Sequence, residues 1–276
     1  MNQDHRQQAD LPVRVAPDTA TLARMAARDF ARCCSEALRE RDWFIVCLSG
    51  GSTPAWLFDM LARPPFIHAV PWHRVLVCWG DERHVLHDDP RSNYHMAVHH
   101  LLRHVPIPPA HVYPIPTRLD QPRRAAARYE ETLRLIFKGK LGLPAPVFDL
   151  VYLGLGDDGH TASLFPGDSL LQQPWPDNPQ NATWVAAPAR AYNGVRRITL
   201  MPWALAQARA VVFLVSGANK ARPLQRVLQG PHRPAALPAQ AVWLRCRERC
   251  RFLVDAAAAR LSDRGIERLR ELNDQR

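Results

Sequence analysis

The sequence predicts an α/β fold in which a mostly parallel sheet carries helices on both faces. Short apolar runs recur between turn residues at Trp43–Leu48, Arg74–Trp79, Phe148–Leu155 and Ala210–Val215, and such continuous apolarity marks strands buried on both sides. Stretches of helical periodicity lie between them, so strand and helix alternate. With 276 residues, 47% hydrophobic and 22% charged, the chain has the composition of a globular protein that buries a substantial core.

Taken in order, a helix is expected over Ala20–Glu40 and a strand over Trp43–Leu48. A helix at Ala55–Leu61 leads to the strand Arg74–Trp79, and helices at Ser92–His104 and Gln121–Phe137 precede the strand Phe148–Leu155. Weaker strand candidates are "TWVAA" (Thr183–Ala187), "RITL" (Arg197–Leu200), "AVWL" (Ala241–Leu244) and "RFLVD" (Arg251–Asp255), with a further helix over Lys220–Leu228. The proline clusters "VPIPPAHVYPIP", "QQPWPDNP" and "PHRPAALP" are short and interleaved with apolar residues, as stiff connections are. No repeat or low-complexity linker divides the chain, so residues 1–276 are expected to form one domain with flexible ends at 1–17 and 262–276.

The formal charge of +10 is spread over 36 Lys and Arg without a basic block, zinc finger or aromatic-rich RNA-reading motif, which argues against a nucleic-acid partner. The field it creates suits small anions such as sugar phosphates. The opening residues lack the apolar run of a signal peptide, and no stretch approaches the roughly 20 apolar residues of a membrane helix, so a cytoplasmic protein without a membrane partner is expected. Six cysteines fall at no disulfide-framework spacing and read as reduced; Cys246 and Cys250 lack a second ligand pair nearby in sequence. His99, His100 and His104 have a metal-compatible spacing but read as a solvated helix face, and no metal is expected.

In open α/β sheets ligands bind beyond the carboxyl ends of the strands, and four motifs stand there. "LSGGSTP" (Leu48–Pro54) joins a strand to a helix, with adjacent glycines and hydroxyl donors arranged as a phosphate cradle at a helix N-terminus; alone it also fits a tight turn with a Ser or Thr cap. "WGDERHV" (Trp79–Val85) offers carboxylate and guanidinium side by side, or a surface ion-pair cluster, while Ser92 and Asn93 read as helix caps. "YLGLGDDGHTASLFPG" (Tyr152–Gly167) sets His160 among glycines with Asp158 two residues away, as a general base with its carboxylate or as a helix-capping histidine. Its glycines match a dinucleotide loop only superficially, because the ribose-binding acid expected about 20 residues on is not clearly placed. "VRRITL" (Val195–Leu200) and "LVSGANKA" (Leu214–Ala221) each add a cation, and Lys220 beside a phosphate cradle is a natural counter-charge.

Together, "SGGSTP", "GDER" with a later "SN", "DLVYLGLGDDGHTASLFPG", "RITL" and "GANK" resemble the 6-phosphogluconolactonases, within the larger group that includes glucosamine-6-phosphate deaminases and ribose-5-phosphate isomerases. The resemblance runs from about Trp43 to Asp255. It implies a modified Rossmann-like fold, no cofactor, a monomer or weak homodimer, and hydrolysis of a sugar phosphate lactone, 6-phosphoglucono-δ-lactone, in the oxidative pentose phosphate pathway. By match to the family's motifs, Gly50, Gly51, Ser52 and Thr53 with Lys220 would hold the phosphate, Arg83 and Arg197 would lie near the substrate, and His160 would activate water. Asp158 would orient the imidazole. One arginine would face the developing oxyanion, and Arg83 is counted with His160 and Asp158 as catalytic.

The deaminase branch carries a pattern resembling D-G-H-I-A-F-N-E-P and a D-E-Y triplet. Here Phe165 stands where that glutamate would be and Arg83 replaces the tyrosine, and both departures disfavour deamination. Asp81 would correspond to the deaminase's proton-transferring carboxylate and is expected here to hold a cation or substrate hydroxyls. A silent sugar-phosphate sensor would need a DNA-reading module for which the roughly 40 residues before the first strand leave no room, and an intact His160 also argues against it.

Overall fold

A computed structural model describes residues 13–260. In chain order the elements are β1 (Val13–Ala16), α1 (Thr19–Glu40), β2 (Phe44–Leu48), α2 (Ser52–Leu61), α3 (Phe66–Ala69), β3 (Val75–Trp79), β4 (Asp81–Arg83), α4 (Asn93–Ala97), α5 (Pro122–Arg134), β5 (Leu150–Leu153), β6 (Val185–Ala186), β7 (Arg197–Leu200), α6 (Pro202–Ala206), β8 (Val211–Val215), α7 (Ala221–Gln229), α8 (Pro238–Trp243) and β9 (Cys250–Asp255). Six strands form a sheet in the order β1-β9-β8-β5-β2-β3, and every pair in it is parallel. Helices flank this sheet, giving the Rossmann-like α/β architecture expected.

The continuous apolar runs become strands for the expected reason: every residue of β2, β3, β5 and β8 is buried. Helix α1 lays Leu22, Ala26, Phe30, Cys33 and Ala37 toward the core, and the Asp18 side chain caps it by accepting the Thr21 N–H at 2.7 Å. After β2 the chain pairs β3 on one side, whereas β5 pairs β2 on the other, so the strand order reverses between β2 and β5. That reversal opens a crevice at their carboxyl ends.

The structure corrects several expectations. Residues 13–16, expected in a flexible end, form β1 and pair with β9 in register Val13↔Phe252 to Ala16↔Asp255; residues 1–12 and 261–276 lie outside the described residues. "AVWL" is helical rather than extended: Pro238 occupies the first turn of α8, and Trp243 packs edge-on against Phe252 of β9 at 5.6 Å. A short apolar run does not by itself separate a strand from one buried helical turn. The helices expected to reach His104 and Phe137 widen into π-helical turns at Val98–Leu102 and Leu135–Lys140. Asp81–Arg83, read as a strand-end cluster, is itself the strand β4 of a second, antiparallel sheet ordered β4-β7-β6.

Candidate functional site

The crevice at the sheet reversal is a cleft of about 220 Å³ that gathers four strand-end segments: Ser49–Pro54, Asp81 with Arg83 and Asn93, Gly154–Gly156 with His160, and Leu214–Ser216 with Lys220. Of the residues singled out from sequence, Gly50, Gly51, Ser52, Thr53, Asp81, Arg83, His160 and Lys220 all line it. Asp158 reaches it through His160. Arg197 does not line it: it is 8% exposed and sits opposite Arg83 in the β4–β7 ladder. A larger groove of about 650 Å³ lies at the amino ends of the strands, where Asp149 pairs with Arg41 at 3.1 Å and Arg209 at 3.4 Å.

The loop after β2 runs straight into α2, so its backbone N–H groups and the Ser52 and Thr53 hydroxyls stand at a helix N-terminus. The loop is pinned from behind by Asn93, whose carboxamide occupies the space that a Cβ on Gly50 would fill. Asn93 in turn donates from Nδ2 to the Asp81 backbone carbonyl at 2.9 Å. Of the two expected caps, Ser92 is the one that caps α4, accepting the His95 N–H, and Asn93 instead ties the glycine loop to β4.

Strand alternation separates the triplet Asp81-Glu82-Arg83. Asp81 and Arg83 face the cleft, and Glu82 turns inward, 1% exposed, to accept N–H groups from Arg83, Asn93 and Tyr94 and the Ser92 hydroxyl at 2.7–2.9 Å. Burial pushes the Glu82 carboxyl above its ordinary range against those four hydrogen bonds. Replacing Glu82 by Ala orphans these donors, so the expected result is a loss of about 2–4 kcal/mol in urea unfolding; an unchanged midpoint would mean that water satisfies them instead.

Asp81 is 7% exposed and accepts the Ser163 hydroxyl at 2.6 Å, so a hydroxyl of the glycine-rich loop fixes this carboxylate. Arg83 donates from Nη1 to the Arg91 carbonyl at 2.5 Å. Burial and then the neighbouring Arg83 charge lower the Arg197 guanidinium from its ordinary value.

The loop after β5 closes on itself. Gly156 N–H donates to the His160 carbonyl at 2.8 Å, and the His160 ring covers the Gly156 Cα so closely that a Cβ there would overlap the imidazole. Asp158 Oδ1 takes both the His160 backbone N–H at 2.9 Å and Nδ1 at 2.7 Å. Burial raises the Asp158 carboxyl, but its hydrogen bonds with His160 outweigh that and hold it below the ordinary 3.8. A depressed carboxyl of this kind keeps its contribution above its unfolded value and loses it only as pH falls through the folded one, so Asp158 stays ionised across neutral pH. With Nδ1 engaged, the imidazole leaves Nε2 for the cleft.

The adjacent Asp157 serves another partner. It accepts from Lys220 Nζ at 2.6 Å and from Asn219 Nδ2 at 3.0 Å, linking the β5 loop to the β8 loop. The β8 loop is anchored by Asp255 at the end of β9, whose carboxylate accepts the Ser216 hydroxyl at 2.5 Å and the Gly217 N–H at 3.1 Å. Burial raises this carboxyl, and the bonds from Ser216, Ala258, Gly217 and Thr19 more than reverse it. Ser216 and Asp255 went unassigned from sequence, where they read only as the ends of apolar strands.

Among the described residues, no three His, Cys, Asp or Glu side chains gather as a metal site, and no helix is long and apolar enough to cross a membrane. His100 pairs with Asp59 at 2.8 Å and His104 contacts the His99 carbonyl at 3.0 Å. All six cysteines are free and buried.

Known proteins share this fold. The profile of the glucosamine-6-phosphate isomerases/6-phosphogluconolactonase family matches residues 17–251. A 6-phosphogluconolactonase of Synechocystis is 39% identical over 213 residues, covering 75% of this chain and 80% of the relative. The 6-phosphogluconolactonase of Homo sapiens is 38% identical over 253 residues, 88% of each chain. The solved 6-phosphogluconolactonase of Trypanosoma cruzi superposes with a TM-score of 0.76 at 28% identity, over 91% of this chain and 96% of that one. The chain belongs to the glucosamine-6-phosphate isomerase/6-phosphogluconolactonase family.

Proposed function

We propose that this protein hydrolyses 6-phosphoglucono-δ-lactone to 6-phosphogluconate, the lactone-opening step of the oxidative pentose phosphate pathway. The names of its relatives support the substrate. The observation that carries the chemistry is one cleft holding both a helix-N-terminal glycine loop with Lys220 and the Asp158–His160 pair.

In this reading the Gly50–Thr53 amides and hydroxyls hold the phosphate, with Lys220 as counter-charge. The anchored ring presents its carbonyl carbon to a water beside His160, and fixing that geometry lowers the entropic part of the barrier. His160 Nε2 accepts a proton from the water as its oxygen bonds to the carbonyl carbon, and Asp158 stabilises the imidazolium that forms. Arg83 faces the oxyanion of the tetrahedral intermediate, with the buried Arg197 charge behind it. The intermediate collapses by breaking the bond to the ring oxygen, which takes the proton back from His160, so water is consumed and one hydroxy acid results. Asp81, fixed by Ser163 and Asn93, orients sugar hydroxyls.

The test is an assay with freshly made lactone, corrected for spontaneous opening and coupled to a dehydrogenase that oxidises 6-phosphogluconate. The expected result is ring opening in proportion to enzyme, with no ammonia released from glucosamine 6-phosphate. No acceleration, or ammonia release at a comparable rate, would overturn the assignment.

A further inference from the structure

His160 has aromatic neighbours that neither bind phosphate nor line the cleft. Phe165 lies 4.9 Å from the imidazole centroid, Tyr192 lies 5.5 Å from it, and the two aromatic rings stack on each other at 4.0 Å with only 13° between their planes. They come from different segments: Phe165 from the glycine-rich loop itself, Tyr192 from the arm that feeds β7.

That arm is a tight hairpin. Tyr192 and Val195 exchange both backbone hydrogen bonds at 3.0 and 3.2 Å, and the two residues between them, Asn193 and Gly194, have φ of 50° and 72°. Two positive φ values at an Asn-Gly pair are the signature of a type I′ turn, whose twist matches its flanking strands. The base is fixed as well: Arg196 donates from Nη1 to the Ala189 carbonyl at 2.8 Å, and the Arg196 carbonyl accepts the His84 N–H at 2.9 Å, extending the β4–β7 ladder. The hairpin is therefore tied to the sheet that carries Arg83, and it delivers an aromatic ring to the back of the imidazole.

We infer that Tyr192, clamped against Phe165 by the Asn193-Gly194 hairpin, is a positioning residue for His160. Asp158 fixes the imidazole at its Nδ1 edge and Gly156 lies flat against it, but a single hydrogen bond leaves the ring free to swing about that edge. The aromatic pair removes this freedom, so that Nε2 keeps one aim toward the cleft. The ring of Tyr192, not its hydroxyl, does this. The inference rests on the proposed general-base role of His160, and its test includes a readout that does not need turnover.

Four proteins are compared with wild type: Tyr192→Ala, Tyr192→Phe, Gly194→Val, which keeps Tyr192 but opposes the turn, and His160→Gln, whose missing signal identifies His160 in histidine side-chain NMR spectra. Tyr192→Ala is expected to lower kcat about ten- to a hundredfold with KM little changed, the scale of misplacing a reacting group. The ring-current shifts of the His160 protons are expected to change with it, because one of the two flanking rings is gone and the imidazole is no longer held in one orientation. Tyr192→Phe should restore both, and Gly194→Val should repeat the Tyr192→Ala pattern. Unchanged kcat and unchanged His160 shifts in Tyr192→Ala would overturn the inference. So would a rise confined to KM, which would make Tyr192 a substrate contact, or an equal loss in Tyr192→Phe, which would assign the effect to the hydroxyl. If wild type opens no lactone at all, the proposed function fails, while the His160 shifts still report whether the clamp exists.

Discussion

His160→Ala is expected to lower kcat by about 10²–10⁴-fold, the usual contribution of a positioned general base, while the affinity for 6-phosphogluconate as an inhibitor stays near that of wild type. The separation follows from the layout of the cleft. The glycine loop and Lys220, proposed to hold the phosphate, come from the segments after β2 and β8, whereas the His160 imidazole is held by Asp158 and Gly156 of its own loop. Removing the imidazole leaves the anchor in place and takes away the proton acceptor. Asp158→Asn is a milder version of the same change, because an amide oxygen still orients Nδ1 but carries no charge to stabilise the imidazolium. Steady-state kinetics on the phosphorylated lactone, corrected for spontaneous opening, checks both variants. If His160→Ala keeps more than half the wild-type kcat, another group takes the proton.

Most of this site was legible because parallel sheets write themselves into sequence twice. Strands buried on both faces are continuous apolar runs, and β2, β3, β5 and β8 stand where those runs are. Their carboxyl ends then mark the ligand loops. What escaped lacked one of these two signatures. Strand β1 is a four-residue edge strand with exposed Arg14 between buried Val13 and Ala16, too short for its pattern to stand out. The short strand β4 is polar, and only its pairing with β7 decides that Asp81 and Arg83 face the cleft while Glu82 turns away.

Partner choice within one motif was only half legible. "GDDGH" presents two aspartates: the pairing of Asp158 with His160 was expected from their spacing, whereas only the folded backbone sends Asp157 to Lys220 across 63 residues of chain. Arg197 shows the limit of motif matching: the strand that carries it was found, but its side chain lies buried beside Arg83 rather than in the cleft. Tyr192 carries no motif at all. Its one signal in sequence was the Asn-Gly pair that follows it, a hairpin cue between two strand candidates in a segment with no other assignment.

Lys220→Ala should mainly raise KM, because substrate and transition state carry the same phosphate and lose the same contact. A charge-assisted contact of this kind is worth about 1.5–3 kcal/mol, or roughly one to two powers of ten in affinity. In the free protein the Lys220 ammonium is not idle: Asp157 holds it at 2.6 Å, through a carboxylate 69% exposed. An ion pair that open to water contributes little, so a phosphate arriving beside the Gly50–Thr53 amides displaces or shares the lysine at small cost. Two further expectations follow from this competition. Asp157→Asn should leave kcat unchanged and hold or lower KM, the opposite of Asp158→Asn one residue away, which acts on kcat. Glucono-δ-lactone without its phosphate should be a much poorer substrate for wild type, and Lys220→Ala should barely change its hydrolysis. Measuring kcat/KM for both lactones with both enzymes closes a cycle in which the coupling between Lys220 and the phosphate is the only quantity left over. A loss confined to the phosphorylated lactone assigns Lys220 to the phosphate. Equal losses on the two lactones would remove it from that role and leave the amides and hydroxyls at the N-terminus of α2 as the anchor.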